Sequence, residues 1–276
     1  MFPFNVVHLI FGHLLYSSIL DDFRALRKRN ISFPYNSQDA TLTNMSNNRS
    51  IFDIVGPIMV GPSSSHTAGA VRLGELARAI FGAQPAHVHI ELHGSFAATG
   101  EGHGTKLALI AGLLGMAPDD ANIPHAFDIA REKGLGFDFE DIELDEAHPN
   151  TAVFYLTPRE LREPDEQSIT RPLTITGSSI GGGNVVVTRI GDFPIHATGE
   201  LPLLVIDHTD QPGVIHAVTG ILTEAGINIA AMDVSREMRG ARALMLIETD
   251  ARPDTTTLKR ILKQTQVHNV RFVPAV

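Results

Sequence analysis

Hydrophobic residues recur at helical spacing directly after a cluster of serine and threonine residues near position 65. Four of them lie at i, i+3, i+4 and i+7, on one face of a helix: Leu73, Leu76, Ala77 and Ile80. The hydroxyl-rich segment 63–67 stands where this helix must begin, and its side chains can accept hydrogen bonds from the first N–H groups. The pattern therefore predicts an amphipathic helix that starts at a polar loop.

Residues 87–93 alternate between polar and apolar, which predicts a β-strand. One face carries Val88, Ile90 and Leu92, and the other carries His87, His89, Glu91 and His93. Imidazole and carboxylate groups are common metal ligands, so the polar face is a candidate metal site. Side chains in a line along one strand rarely converge on one ion, however. We therefore favour the solvated face of an amphipathic strand.

Three further loops, rich in glycine or in hydrogen-bond donors, precede predicted regular elements. They are residues 100–105 before an apolar helix at 107–114, residues 148–151 before a strand at 152–156, and residues 178–184 before a strand at 185–190. The glycine-rich loop matches neither a Walker A loop nor a dinucleotide-binding fingerprint. Together with segment 63–67 they make four polar loops in one domain, and we expect them to build a shared site.

The C-terminal part predicts the element order β-α-β-β-α-β of a ferredoxin-like domain. The strands are expected at residues 203–206, 227–234, 241–247 and 270–273, with helices beginning at Val214 and Thr255. The first helix ends at Gly226, a natural C-cap. The alternation changes phase near Ala230, which predicts a β-bulge.

The loop at residues 207–213, between the first strand and helix of this module, can bind a zwitterionic amino acid. Backbone N–H groups at the helix start suit a carboxylate, with Pro212 and Gly213 shaping the loop. Asp207 or Asp210 can meet the ammonium group. The alternative is a ferredoxin-like domain with a structural role alone.

The charge distribution argues against nucleic-acid and membrane partners. The 276 residues carry a formal net charge of -9, and they contain no long run of lysine and arginine. Proteins that bind nucleic acids or anionic membranes normally show a basic patch. The hydrophobic fraction of 43% is that of a globular protein with a buried core.

The chain contains no cysteine. Disulfides, a thiolate nucleophile and a metal cluster held by cysteines of this chain alone are thereby excluded. The absence of cysteine also agrees with a cytoplasmic location, which we expect for this protein.

Residues 1–48 are expected to be a leader outside the folded domains, either unstructured or produced by a start codon assigned too far upstream. The apolar stretch at residues 2–20 has a borderline length for a membrane anchor, which is the alternative. Met45 begins a phrase typical of the start of a soluble domain. We expect the remaining chain to form two domains, residues 49–198 and 201–276.

His66 lies within the serine- and threonine-rich loop and is the one side chain there that exchanges a proton near neutral pH. The N-terminus of the following helix attracts carboxylates and phosphates, and the serine hydroxyls add donors. The loop is therefore a candidate binding or catalytic site. The alternative is an ordinary helix cap beside a surface histidine.

Six sequence motifs resemble those of a known enzyme family. GPSSSHTAG, GSFAATGEGHGT, HPNTA and SIGGGN resemble the beta chain of iron–sulfur L-serine dehydratases, also called L-serine ammonia-lyases. DHTDQPGV and GINIAAMDVSR resemble an ACT domain. The resemblance implies an α/β (α+β) protein, with an allosteric-substrate-binding-like domain followed by a ferredoxin-like ACT domain.

The same resemblance implies a beta subunit that converts L-serine to pyruvate and ammonia by α,β-elimination. A partner alpha subunit would carry the cysteines of a [4Fe–4S] cluster, in agreement with the lack of cysteine here. His66 would accept a proton or orient the acceptor. The substrate-binding residues would be Ser64, Ser65, Thr67, His148 and Asn150. Lys106 departs from the acidic residue common after GHGT, which weakens the comparison at that loop.

The resemblance also implies that the ACT domain binds a small amino-acid effector. The residues expected at that site are Asp207, His208, Asp210, Pro212, Gly213 and Asn228. A non-catalytic amino-acid sensor is the main rival, because both domains resemble regulatory modules. A pyridoxal-phosphate enzyme is disfavoured, because such an enzyme needs a lysine next to a phosphate-binding loop and none of the five lysines follows a recognisable one, Lys106 being the single candidate.

Overall fold

The computed structural model describes residues 58–100, 102–159 and 171–276, which form two β-sheets with helices packed against them. The expected leader, residues 1–48, lies outside these ranges. The fold is mixed α and β, which confirms the predicted α+β class. In the described ranges, no helix has the length and apolar character needed to cross a bilayer.

The first sheet has six strands in the order β2-β1-β3-β4-β5-β6. They are β1 (His87–His93), β2 (Gly136–Ile142), β3 (Thr151–Thr157), β4 (Leu173–Gly181), β5 (Asn184–Ile190) and β6 (Phe193–Ala197). β1 and β2 are parallel, and the other neighbours are antiparallel. The hydrophobic pattern did not predict β2, β4 or β6, and residues 178–181 of the expected loop 178–184 are the end of β4. β2 nevertheless joins β1 in register and forms one edge of the sheet.

The helices of this part cover one face of the first sheet. A π-helical turn (Ser64–Ala68) leads into α1 (Gly69–Phe81), and α2 (Ser95–Thr99), α3 (Thr105–Leu113) and α4 (Ala126–Glu132) lie between β1 and β2 in the chain. The predicted face of α1 is buried, together with Val88, Ile90 and Leu92 of β1. This confirms both periodicities, since apolar side chains at these spacings must meet in one core.

Two glycines allow α1 and α3 to pack closely. A Cβ atom added to Gly112 would lie 1.9 Å from the carbonyl oxygen of Val71, and one added to Gly74 would lie 2.3 Å from that of Leu109. No side chain fits at these distances, so the helices approach through bare backbone. The first half of α1 is thereby held against the C-terminal half of α3.

The second sheet has four antiparallel strands in the order β10-β7-β9-β8. They are β7 (Leu203–Thr209), β8 (Ile229–Arg236), β9 (Arg242–Thr249) and β10 (Val267–Val273), with α5 (Val214–Glu224) and α6 (Thr255–Leu262) between them in the chain. The predicted βαββαβ order is confirmed. The register shift between Ile229 and Ala231 confirms the predicted bulge.

β7 and β9 of the second sheet are buried on both faces, by different partners. Leu204, Ile206 and Met245 pack with α5 and α6 in a core of their own. Leu203 and Val205, whose side chains alternate with these, belong to the same core as α1. The C-terminal module is therefore packed against the first sheet and its helices.

Candidate active site

The serine-rich loop forms a π-helical turn whose start is capped by Ser63. Ser63 has an extended backbone, and its Oγ accepts a hydrogen bond of 3.1 Å from the backbone N–H of His66. π-Helical turns are rare and are often found at functional sites. The ring of His66 faces the neighbouring loops, where it contacts Ser95, Phe96 and His103.

The imidazole of His66 has a hydroxyl within hydrogen-bond distance of each ring nitrogen. Nδ1 lies 3.0 Å from the Oγ of Ser65, and Nε2 lies 3.0 Å from the Oγ of Ser95. Hydroxyls both donate and accept, so this arrangement accommodates either neutral tautomer. The ring also contacts Phe96 edge-on, with centroids 5.4 Å apart. Its orientation is thus set from three sides.

The environment of His66 favours the neutral imidazole. Burial lowers the pKa of His66 below that of a free imidazole, and the charge of His103 lowers this pKa further. A hydrogen bond with the backbone of Ser95 raises the pKa and opposes part of the effect. The two imidazole rings have centroids 5.2 Å apart. A neutral imidazole is the form that can accept a proton.

Thr67 connects the serine-rich loop to the glycine-rich loop. It is 3% exposed, and its Oγ1 donates a hydrogen bond of 3.3 Å to the carbonyl oxygen of His103. Its backbone N–H donates to the carbonyl oxygen of Ser63. Both donors of Thr67 are therefore used by the protein, which is at odds with its expected role in holding a substrate carboxylate.

The loop at residues 148–150 meets the start of α2. The backbone N–H of Ser95 donates a hydrogen bond of 2.7 Å to the carbonyl oxygen of Pro149. Gly94 precedes Ser95 with φ 59°, and a Cβ there would lie 2.7 Å from the same oxygen. Glycine is thus required for this approach, which brings His148 and Asn150 to the side of the chain that carries Ser95.

His148 and Asn150 occupy different positions at this rim. The exposed His148 accepts a hydrogen bond of 3.1 Å at Nδ1 from the backbone N–H of Asn150. The side-chain amide of Asn150 donates to the carbonyl oxygen of Ser179 at 3.3 Å, and the backbone N–H of Ser179 donates back to the Asn150 carbonyl at 3.0 Å. Asn150 thus joins the ends of β3 and β4.

Ser179 completes the connection to α1. A Cβ added to Gly69, the first residue of α1, would lie 2.1 Å from the Oγ of Ser179. The loops 63–67 and 100–105 are joined through Thr67 and His103, the segments 148–151 and 178–184 are joined through Asn150 and Ser179, and the contact at Gly69 brings the two pairs together. The Oγ of Ser179 and the Oγ1 of Thr105 are buried and have no hydrogen-bond partner among the described residues. Buried hydroxyls without partners are costly and uncommon, so these two oxygens stand out at the point where the loops meet.

Several residues of this cluster were not predicted as site residues from the sequence. Ser95, Phe96 and His103 contact His66 although they lie 29 to 37 positions further along the chain (95 − 66 and 103 − 66). The one signal for Ser95 was its place directly after a strand, where a turn into a helix exposes its hydroxyl. His103 lies in the glycine-rich loop, whose direction the sequence does not reveal.

Lys106 points away from the cluster. Its Nζ lies 3.9 Å from a carboxylate oxygen of Asp141 and 5.6 Å from the ring centroid of Phe139, both in β2. The departure from the acidic residue common at this position therefore affects contacts with β2 rather than with His66.

The aspartates expected to meet an effector ammonium already pair with arginines. Arg242 donates to Asp207 at 2.9 Å, and Arg236 donates to Asp210 at 2.8 Å. The hydrogen bond from Arg236 lowers the pKa of Asp210 below its ordinary value. An effector ammonium would have to compete with these guanidinium groups.

The remaining effector-site residues are divided between the two ends of the second sheet. Gly213 caps α5 with φ 95°, next to Pro212, and His208 is buried with its Nε2 unpartnered among the described residues. Asn228 donates to Asp250 at 2.8 Å, beyond the last residue of β9. β9 pairs Arg242 with Thr209 at one end and Glu248 with Leu203 at the other. Asn228 and the 207–213 loop therefore do not form one pocket within the chain.

Comparisons with known proteins match both parts of the chain. A family model for the serine dehydratase beta chain matches residues 50–135, and one for the ACT domain matches residues 203–265. The probable L-serine dehydratase beta chain of Bacillus subtilis (strain 168) is 40% identical over 215 residues, which are 78% of this chain and 93% of that protein. The L-serine dehydratase beta chain of Peptoniphilus asaccharolyticus is 37% identical over 212 residues, 76% of this chain and 90% of that protein.

A shorter similarity extends to another enzyme class. The chloroplastic D-3-phosphoglycerate dehydrogenase 3 of Arabidopsis thaliana is 29% identical over 144 residues, which are 51% of this chain and 24% of that protein. The similarity covers a minor part of that dehydrogenase, so it concerns shared domains rather than the whole enzyme.

Proposed function

The chain belongs to the family of L-serine dehydratase beta chains, and we propose that it is the beta subunit of an L-serine ammonia-lyase that forms pyruvate and ammonia. The family consists of lyases. The observation that carries the proposal within this chain is His66, a largely neutral imidazole held between the hydroxyls of Ser65 and Ser95 where four polar loops meet.

The residues of this chain do not fit an iron–sulfur cluster. Such clusters are held by cysteine thiolates, and the sequence contains no cysteine. Hydroxyls, backbone N–H groups and one imidazole instead suit a small polar substrate. We therefore assign a [4Fe–4S] cluster to a cysteine-bearing alpha subunit, where an open iron site would polarise the leaving hydroxyl of L-serine.

His66 has the properties of the proton acceptor in this reaction. The α,β-elimination removes the Cα proton of L-serine and expels the β-hydroxyl as water, and the resulting enamine becomes an imine that hydrolyses to pyruvate and ammonia. A neutral His66 can accept the Cα proton. The hydroxyls of Ser65 and Ser95 orient the ring through its two nitrogens, and one of these contacts would give way to the substrate when the proton is transferred.

The substrate carboxylate fits the hydroxyl groups at the start of the π-helical turn. Ser64 and Ser65 are partly exposed there, ahead of the N-terminus of α1. We assign Asn150 and His148 to the rim of the pocket, where Asn150 is tied to Ser179.

The experiment that tests this proposal is anaerobic co-expression of the chain with a cysteine-bearing alpha chain, followed by assay of pyruvate formation from L-serine. We expect activity that requires both chains and that is lost in air. The His66→Ala variant should lose at least about a hundredfold in kcat while it still associates with the alpha chain. The exposed His125→Ala variant is the matched control and should retain activity.

Two outcomes would contradict the proposal. If the cluster-loaded pair is inert while this chain alone binds L-serine, the chain is an amino-acid sensor. If His66→Ala retains full turnover, His66 is not the proton acceptor.

We also propose a cytoplasmic location and a small amino-acid effector at the 207–213 loop of the ACT domain. The location is supported by the lack of cysteine. The effector site is supported by the backbone N–H groups at the start of α5 and by the buried Nε2 of His208. Binding of L-serine to a His208→Ala variant, measured by calorimetry, should be weaker than binding to the unmodified chain.

A further inference from the structure

The face of the first sheet turned away from its helices carries a group of metal-ligating side chains on β1 and β2. His89 and Glu91 lie two residues apart on β1, and Glu140 stands directly opposite Glu91 in the parallel register with β2. One ligand atom from each of the three residues lies within 4.8 Å of the others. β2 thus adds a third candidate ligand beside the two on β1, so that the three ligand atoms no longer lie in a line along one strand.

The sequence pattern predicted that the polar face of β1 is solvated. This prediction is wrong for the part of the face that carries Glu91 and His93. Glu91 is 7% exposed and His93 is 8% exposed. The side chain of His89 is 13% exposed, whereas that of Glu140 is 48% exposed. Of the three candidate ligands, His89 and Glu91 are therefore largely buried, while Glu140 lies at the edge of the sheet, where its side chain has room to move.

The ring of His89 is oriented as in many metal sites. Its Nδ1 is hydrogen-bonded to a carboxylate oxygen of Asp138. Metal-binding histidines commonly donate one ring N–H to a carboxylate, which fixes the tautomer and directs the other nitrogen at the ion. In His89 that other nitrogen, Nε2, lies 3.7 Å from the Oε2 of Glu140.

The carboxylate of Glu91 is oriented in a similar way. The hydroxyl of Tyr155, on β3, donates a hydrogen bond of 3.0 Å to its Oε2. Tyr155 also contacts the ring of His89, with centroids 5.6 Å apart. One tyrosine thus supports two of the three candidate ligands from the neighbouring strand.

We propose that His89, Glu91 and Glu140 bind one divalent transition-metal ion, with Zn²⁺ as the test ion and water completing the coordination. Ligand atoms around a tetrahedral Zn²⁺ are separated by roughly 3.4 Å, given bond lengths of about 2.1 Å. The three candidate ligand atoms lie within 4.8 Å of one another, so small side-chain movements, above all of the exposed Glu140, would close the site around an ion. The site does not depend on the proposed enzymatic function.

The test measures Zn²⁺ binding by the purified full-length chain, in competition with a chromophoric chelator. We expect one tight equivalent in the unmodified chain and its loss in His89→Ala and Glu140→Gln. The matched controls are His125→Ala and Glu132→Gln, which alter exposed residues of the same types in and before α4. Both controls should keep the tight equivalent.

A second measurement tests the orienting role of Asp138. Asp138→Asn keeps the shape of the side chain but removes its charge, and Zn²⁺ affinity should fall about tenfold to a hundredfold. Thermal unfolding with and without Zn²⁺ checks that each variant is folded. Zn²⁺ should raise the Tm of the unmodified chain and of the controls but not that of Glu140→Gln.

The alternative is a metal-free network in which His89 is protonated and paired with Asp138 and Glu140. The proposal is overturned if the unmodified chain binds no tight equivalent of Zn²⁺. It is equally overturned if folded His89→Ala and Glu140→Gln bind Zn²⁺ as tightly as their controls, because the ion then binds elsewhere.

Discussion

The Nε2 atom of His66 lies 3.0 Å from the Oγ of Ser95, a residue 29 positions further along the chain. This contact joins the π-helical turn before α1 to the first residue of α2. Ser95 is held in turn by its backbone hydrogen bond to Pro149. Three separate loops are therefore coupled to the orientation of one imidazole ring.

Ser95→Ala is expected to reduce kcat about tenfold, which corresponds to about 1.4 kcal/mol, because the ring of His66 loses its partner at Nε2. The backbone contact that raises the pKa of His66 remains, so the acid limb of the pH–rate profile should stay in place. Steady-state kinetics of the reconstituted pair across a pH series measures both kcat and the position of the acid limb. Thr223→Ala, which removes an exposed hydroxyl on α5, is the control and should behave as the unmodified chain.

His103→Asn is expected to move the acid limb of the same profile to higher pH. The charge of His103 lowers the pKa of His66, so its removal lets that pKa rise toward the ordinary value for histidine. His66 then becomes protonated, and inactive as a base, at a higher pH than in the unmodified protein. An unchanged limb would show that the limb does not report the titration of His66.

Gly112→Ala is expected to destabilise the fold by more than about 2 kcal/mol, because the added methyl group would clash with the carbonyl oxygen of Val71 at 1.9 Å. Gly220→Ala is the matched control in α5, where a Cβ meets nothing within 4 Å. That change should stabilise the protein by up to about 1 kcal/mol through helix propensity. Chemical denaturation compares the two, and equal effects would exclude close packing of α1 on α3.

Arg72→Ala is expected to cost about 2 kcal/mol in the free energy of unfolding. Its guanidinium donates to the carbonyl oxygen of Gly183 at 3.0 Å and to an oxygen of Val276 at 2.7 Å, which ties the turn between β4 and β5 to the C-terminal residue. Arg131→Ala removes an exposed i,i+3 pair with Asp128 and should change stability by less than about 0.5 kcal/mol. Deleting Val276 should reproduce part of the Arg72→Ala effect. If neither change lowers the free energy of unfolding, Arg72 does not have this role.

Predictions from the sequence were most accurate where a local pattern determines the structure. The face of α1 and the βαββαβ order follow from spacings of a few residues, and both are confirmed. The bulge near Ala230 follows from a change of phase in the alternation and is also confirmed. The four polar loops were recognised because serine, glycine and asparagine cluster before regular elements.

The sequence was less informative about Thr67 and Asn228. Thr67 was grouped with the serines beside it, but the π-helical turn directs its hydroxyl to His103. Asn228 was grouped with the 207–213 loop, yet antiparallel pairing carries it to the other end of the sheet. In both cases the direction of a side chain or strand was decided by neighbours distant in the chain.

The sequence by itself determined the apolar faces of α1 and β1, the element order of the C-terminal module and the lack of cysteine ligands for a cluster, because each depends on residue identity and local spacing. The tertiary structure alone decided which polar groups meet. It brought Ser95 to His66 through the start of α2, and it brought Glu140 to His89 and Glu91 by placing β2 parallel to β1. The physical reason is that strand order and helix packing follow from burial of the whole core, and no local pattern records which strands become neighbours.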